Sequence, residues 1–133
     1  MPTVETVTPP NTPTPIGPYS HVARVGGFIT IGGTAGVDPA TGQLAGTDVV
    51  PQARQILRNF AVMLEAVGSD LGHVIHVDVY LLDIADFEAM NAVYVEAFEP
   101  YGDHRPARTA IGVAALPKAG AVVTMGLTAV VAD

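Results

Sequence analysis

Apolar and polar positions recur with two different periods along this chain, and each change of period marks an element. TVETV (Thr3–Val7) alternates with the period of a short edge strand, and a Thr/Pro-rich extended loop continues to Pro15, completing an N-terminal segment over 1–15. IGPYS (Ile16–Ser20) has the composition of a tight turn that presents Tyr19. SHVARV and FITIGG read as two strands joined through Gly26-Gly27, a favoured hairpin connection. VDPATGQ (Val37–Gln43) reads as another turn, with Pro39 and Gly42 in turn-forming roles.

Asp48 and Pro51 then predict a helix start. Ala53, Ile56, Leu57, Phe60, Leu64 and Val67 recur at helical spacing, while Gln52, Arg54, Gln55, Arg58 and Glu65 are read as pointing away from the core. Gly68 is the expected stop. VIHVDVYLL (Val74–Leu82) returns to alternation, with Ile75, Val77, Val79 and Leu81 on one face and His76, Asp78 and Tyr80 on the other. A second helix follows Asp86, packs Phe87, Met90, Tyr94 and Phe98, and ends at Pro100. Two last strands, about ARTAIGV and AVVTMGLTAVV, flank the loop AALPKAG.

The order β-β-β-α-β-α-β-β predicts an α+β fold, with two helices packed on one face of a mixed sheet in a single domain over 1–133. The opposite face, read along the last strand, shows Val122, Thr124, Gly126, Thr128 and Val130. That surface is too apolar for water and too small and polar for an ordinary core. It predicts burial against copies of the same chain, hence a homo-oligomer.

Composition narrows the function classes. With 49% apolar and 14% charged residues, the 133-residue chain can bury a real core. Six Lys and Arg against a net charge of −7 argue against a nucleic-acid partner, which needs clustered cations. A small anionic ligand needs only one well-placed Arg. The absence of cysteine removes disulfides, thiolate metal sites and a Cys nucleophile. No apolar run approaches the length of a membrane span, and the N-terminal sequence lacks the basic start and apolar middle of a secretory signal. A soluble cytoplasmic protein with no membrane partner is expected.

Scarce positive charge is spent on RPAR, immediately before an apolar strand. Arg108, at the strand start, offers a planar fork for a carboxylate or phosphate; its bland alternative is a salt bridge to an acidic side chain. Arg105, in the loop, is read as solvated or as an interface contact. His76 and Asp78 share a strand face, either as an acid–base pair or, preferably, as a structural pair in an interface. No metal-ligand spacing occurs among His21, His73, His76 and His104. Ser20-His21 is a sequence neighbour pair and not a triad, since no nucleophile elbow surrounds it. Gly32-Gly33 ends a strand where backbone can approach a ligand closely, or where the strand merely bulges. Asp83, Asp86 and Glu88 suit a helix start.

IGPYS, ITIGGTAGVDPATG, QARQILRNFAVMLEAVGSDLGHVIHVDVYLLDIADFEAMNAVYVEAF and RPARTAIGVAALPK resemble, in order and spacing, the RidA/YjgF family of Rid-type imine deaminases, from about Ile16 to the C-terminus. The resemblance implies a chorismate-mutase-like α+β fold and a homotrimer with clefts between subunits. It implies hydrolysis of enamines or imines such as 2-aminoacrylate to 2-keto acids and ammonia, with no metal or organic cofactor. The family's carboxylate-binding Arg corresponds to Arg108, its GPY Tyr to Tyr19, and its ligand-facing strand-end Gly to Gly33, beside Thr34. The Asn of MNAVY corresponds to Asn91, in a supporting role, and the carbonyl of Ala110 to one that holds the attacking water.

Where deaminating relatives carry Ser-Gly-Gln, this chain has Gly32-Gly33-Thr34, and it follows Arg108 with Thr109-Ala110. On the last strand, after a one-residue insertion near Lys118-Ala119-Gly120, Thr124 stands where the family has a water-positioning Glu, and Gly126 where it has the next one. Thr124 can hold water but cannot act as a base. The empty carboxylate positions suit a larger or more anionic acid than 2-aminoacrylate, such as an aminomuconate-like compound, with His104 as a candidate proton carrier. The competing expectation is a non-catalytic trimer that binds a carboxylated metabolite as a sensor. Ribonuclease activity, attached to some relatives, fits the acidic charge worst.

Overall fold

The computed structural model describes residues 3–133, so Met1 and Pro2 of the N-terminal segment lie outside the described residues. Strands β1 (Glu5–Val7), β2 (Val22–Val25), β3 (Phe28–Ala35), β6 (Val74–Leu81), β7 (Ala107–Gly112) and β8 (Val123–Val130) form one sheet in the order β1-β2-β3-β8-β6-β7. Every pairing in it is antiparallel except β6 with β7. That parallel pair needs a crossover, and helix α2 (Phe87–Phe98) supplies it. The turn expected at Val37–Gln43 is the tip of a small hairpin, β4 (Val37–Asp38) with β5 (Gln43–Leu44).

Helix α1 (Val49–Ala66) starts after Asp48, with Pro51 inside its first turn where a missing N–H costs nothing. It ends in a Schellman motif: Ser69 N–H donates to Leu64 O and Gly68 N–H to Glu65 O, with Gly68 at φ +79°. Both helices lie on one face of the sheet. Ile56, Phe60 and Leu64 of α1 and Met90 and Phe98 of α2 bury against Ile29, Ile31, Val77, Val79 and Met125. Thr124, Gly126, Thr128 and Val130 stand on the other face, as the alternation along the last strand predicts.

Two sequence expectations need correction. Gln52 does not point away from the protein but is fully buried, because its amide donates to Gly46 O (2.9 Å) and Gly120 O (3.0 Å) and accepts from Val122 N–H (2.9 Å). Ile75 is not a core residue. The register shifts between Val74 and His76, so Val74 takes the buried position and Ile75 turns outward, 43% exposed. Arg105 is exposed, as expected, and its guanidinium also donates to Gly102 O (3.0 Å) and His104 O (2.8 Å), bracing the loop after α2.

A second register shift lies between Ile31 and Thr34, and it shapes the site described next. Ile29 and Ile31 face the helices; plain alternation would send Gly33 inward as well. The extra residue reverses the parity, so that Gly32 and Gly33 are exposed and Thr34 is 2% exposed, its hydroxyl donating to Gly32 O at 2.9 Å.

Candidate active site

Two groups of predicted site residues form, on different parts of the molecule. The first lines a cavity of about 130 Å³ walled by Tyr19, His21, Gly33, Thr34, Lys118 and Thr124, with Pro13, Ile16 and Pro117 among the remaining walls. The bulge at Gly32-Gly33 makes one side of it. Thr124, paired in register with Ala35 and Tyr80, brings its hydroxyl from β8. Tyr19 stands at the rim, 42% exposed, its hydroxyl accepting from Ile16 N–H at 3.3 Å. Tyr19, Gly33, Thr34 and Thr124 are thus brought together as the sequence predicts.

His21 is the residue of this cavity that the sequence reading passed over. It is 4% exposed and meets the Tyr19 ring edge-on, with centroids 6.0 Å apart. Its Nε2 bonds the carbonyl of Pro13, and its buried Nδ1 has no hydrogen-bond partner among the described residues. Lys118, the only lysine of the chain, also reaches the wall. No acidic side chain among the described residues lines this cavity.

The second group centres on Arg108. Register with Val77 puts its side chain on the helix face of β7, the last strand of the sheet. The guanidinium lies 4.8 Å from the Tyr94 ring centroid and 5.5 Å from that of Phe87, with Nη1 3.9 Å from the sulfur of Met90. Cation–π contact steadies the charge but leaves the planar fork open. No carboxylate of the described residues lies within ion-pair distance of it. The salt bridge that was its bland alternative does not form there.

Two polar groups of α2 are also unpaired. Asn91 Oδ1 and the Tyr94 hydroxyl are buried without hydrogen-bond partners among the described residues. Burial pushes the Tyr94 phenol up to about 12, against the opposing pull of Arg108 and Arg105, so it stays a neutral donor at ordinary pH. Ala110, two residues along β7, is partly buried on the same face. A buried polar atom without a partner costs about 1–3 kcal/mol. The open guanidinium and the unpaired phenol beside it can both donate to an anionic ligand.

Within one chain the two groups stay apart. β3 and β7 are separated by β8 and β6, a span of about 14 Å at ordinary strand spacing. Thr124 and Arg108 also project from opposite faces of the sheet.

The other candidates have local roles. His76 Nε2 lies 3.0 Å from Asp78 Oδ1 and 3.3 Å from Thr109 Oγ1, so one nitrogen serves both partners and no proton relay runs through the ring. His104 sits outside the cavity, its Nε2 3.1 Å from Val74 O. Asp83 caps a short turn before α2, accepting from Ala85 N–H at 2.9 Å. Among the described residues no cluster of three or more His, Cys, Asp or Glu could hold a metal ion, and no helix is long and apolar enough to cross a membrane.

Comparison with known proteins agrees with this fold. Residues 9–131 match the family model described as Endoribonuclease L-PSP. A RutC family protein of Pyrococcus horikoshii is 47% identical over 108 residues, covering 81% of this chain and 83% of that one. A 2-iminobutanoate/2-iminopropanoate deaminase of the goat Capra hircus is 46% identical over 110 residues, covering 83% of this chain and 78% of its own. The crystal structure of the YjgF gene product from E. coli superposes with a TM-score of 0.88 at 35% identity, covering 95% of this chain and 98% of its own.

Proposed function

The chain belongs to the Endoribonuclease L-PSP family, the RidA/YjgF family, and from that premise we propose that it hydrolyses a small carboxylated enamine or imine, 2-aminoacrylate-like or aminomuconate-like, to a keto acid and ammonia. The observation that carries the reading is the open guanidinium of Arg108 among Phe87, Met90 and Tyr94, with no acidic partner in reach among the described residues. A substrate carboxylate supplies that partner. Goat, human and Salmonella relatives that bear the name 2-iminobutanoate/2-iminopropanoate deaminase support the choice of chemistry.

A homotrimer of chorismate-mutase-like fold reconciles the two separated groups. Arg108, Asn91 and Ala110 of one protomer face the cavity of Tyr19, Gly33, Thr34 and Thr124 of the next. The small, partly apolar face of β8 is the surface that packs between copies. In the closed cleft the carboxylate sits on Arg108 and Tyr19 covers it. The imine carbon then lies against water held by Thr124 and the Ala110 carbonyl, a positioning effect. The proposal needs no cofactor and no nucleic acid, and places the protein in the cytoplasm. The net charge of −7 works against binding a phosphate backbone, so ribonuclease activity is not part of it.

The test is ammonia release from enzymatically generated 2-aminoacrylate. Acceleration over the spontaneous reaction, lost in Arg108→Ala, supports the deaminase. Saturable binding of a keto acid by folded protein without turnover of 2-aminoacrylate would instead favour a metabolite-binding module, a reading supported by the lack of acidic side chains in the cavity among the described residues.

A further inference from the structure

The chain carries 13 acidic side chains and a single lysine. Lys118 lines the cavity of Tyr19, Gly33, Thr34 and Thr124, and it also lines a second cavity of about 310 Å³ that adjoins the first. Pro13, Thr14, Ile16, Val37 and Lys118 are walls common to both. The second cavity continues between the Pro-rich loop at Thr12 and the hairpin turn at Pro39 and Gly42. No acidic side chain among the described residues lines either one. We propose that the second cavity is the far end of the substrate site, where Lys118 holds the second carboxylate of a dicarboxylic imine or enamine; the proposal rests on the deaminase reading above.

Charge points to this ligand class. Lys118 is half-buried, and no carboxylate of the described residues lies within ion-pair distance of it. An ammonium on a flexible stem is a point charge that can follow a carboxylate through a range of positions. The backbone beneath it is fixed. Ala121 N–H donates to Lys118 O at 3.1 Å, and the buried amide of Gln52 grips the chain just beyond, at Gly120 O (3.0 Å) and Val122 N–H (2.9 Å). Two of the shared walls are tied down as well, Pro13 by the contact of its carbonyl with His21 Nε2 and Val37 by the Asn59 amide, which donates to its carbonyl at 2.9 Å.

Chain length separates the substrates. A three-carbon acid such as 2-aminoacrylate ends one carbon beyond the imine carbon, so with its carboxylate on Arg108 it leaves the second cavity empty. A longer chain carries on past Thr34 and Thr124 to the shared wall. An apolar tail there would strip water from the ammonium and give nothing in return, whereas a terminal carboxylate supplies its partner. That carboxylate takes no part in the chemistry. Water adds at the imine carbon, the C–N bond breaks, ammonia leaves, and the keto acid keeps both carboxylates.

2-Oxoadipate and 2-oxohexanoate have the same chain length and differ only in the terminal carboxylate. In calorimetric titration of the full chain, the wild type is expected to bind 2-oxoadipate about 10-fold more tightly, the low end for a charge-assisted hydrogen bond. Lys118→Met is expected to lose that preference, the loss falling on 2-oxoadipate and not on 2-oxohexanoate. A second readout needs no variant: the imine that an amino-acid oxidase makes from 2-aminoadipate should release ammonia with greater acceleration than the one made from norleucine. A preference that survives Lys118→Met overturns the proposal, and so does equal weakening of both acids, which would make the lysine structural. Accelerated ammonia release from 2-aminoacrylate with equal affinity for the two keto acids overturns the second site alone. A wild type that accelerates no ammonia release overturns the deaminase reading, and the dicarboxylic imine with it.

Discussion

Arg108 holds its guanidinium 4.8 Å from the centroid of the Tyr94 ring, with no carboxylate in reach of the guanidinium and no hydrogen-bond partner for the Tyr94 hydroxyl among the described residues. A charge left half-buried with only a thioether sulfur accepting from it is poorly placed for stability and well placed for an anion. Arg108→Ala should therefore weaken binding of a small 2-keto acid such as pyruvate about 100-fold, the scale of a charge-assisted hydrogen bond. Its melting temperature should not fall. Calorimetric titration beside a thermal melt decides it: a lower melting temperature with unchanged affinity would make Arg108 structural.

Tyr94 gives the fold a signature in alkali. Burial lifts its phenol from 10.0 to about 12, so the unfolded chain releases this proton at lower pH than the folded one. The contribution is complete below pH 10 and fades as pH rises towards about 12. Tyr94→Phe should flatten the fall of unfolding free energy across that window. Tyr101, lifted chiefly by partial burial, titrates in both proteins and drops out of the difference. Parallel slopes for the two proteins in urea titrations from pH 9 to 12 would refute the assignment.

Gln52 joins three points far apart in sequence, Gly46, Gly120 and Val122. Gln52→Leu leaves two carbonyls and one N–H without their side-chain partner, at roughly 1–3 kcal/mol for each buried group. A loss of at least about 3 kcal/mol in chemical denaturation is expected. The loop bearing Pro117 and Lys118 should also exchange its amides faster. A loss under about 1 kcal/mol would mean that water replaces the side chain at little cost.

Gly36 runs against the backbone of α1. A Cβ there would lie 2.7 Å from Gln52 Cα, and a helix backbone cannot rotate aside as a side chain can. Gly36→Ala should cost about 3 kcal/mol, at the upper end for overpacking, or prevent folding. A soluble variant with wild-type denaturant midpoint would contradict the tight approach.

The major elements were legible because their signals are periodic. Ile56, Phe60 and Leu64 declared a helix, and Val77, Val79 and Leu81 a strand, with the faces the structure gives them. What alternation cannot register is a slip by one residue. Ile75 and Thr34 both sit at such slips, and each lies on the face opposite to the one that simple counting assigns. Burial of Gln52 was illegible for another reason, since its partners are backbone atoms up to 70 residues away. In the site, Arg108 and Tyr19 stood out through local motifs. His21 did not, because its interest lies in a nitrogen left without a partner, which only three-dimensional accounting reveals.

The bulge at Gly32-Gly33 and the crossover that carries Arg108 to the last strand leave the two halves of the site on separate parts of the chain. Such an arrangement is modular. On the proposed reading, the groups that grip an acid can be kept while the groups that meet the reacting carbon are rewritten, because the two sets lie on different strands of the sheet. On that reading, Gly32, Gly33, Thr34 and Thr124 are positions that can change the chemistry while Arg108 stays as the anchor.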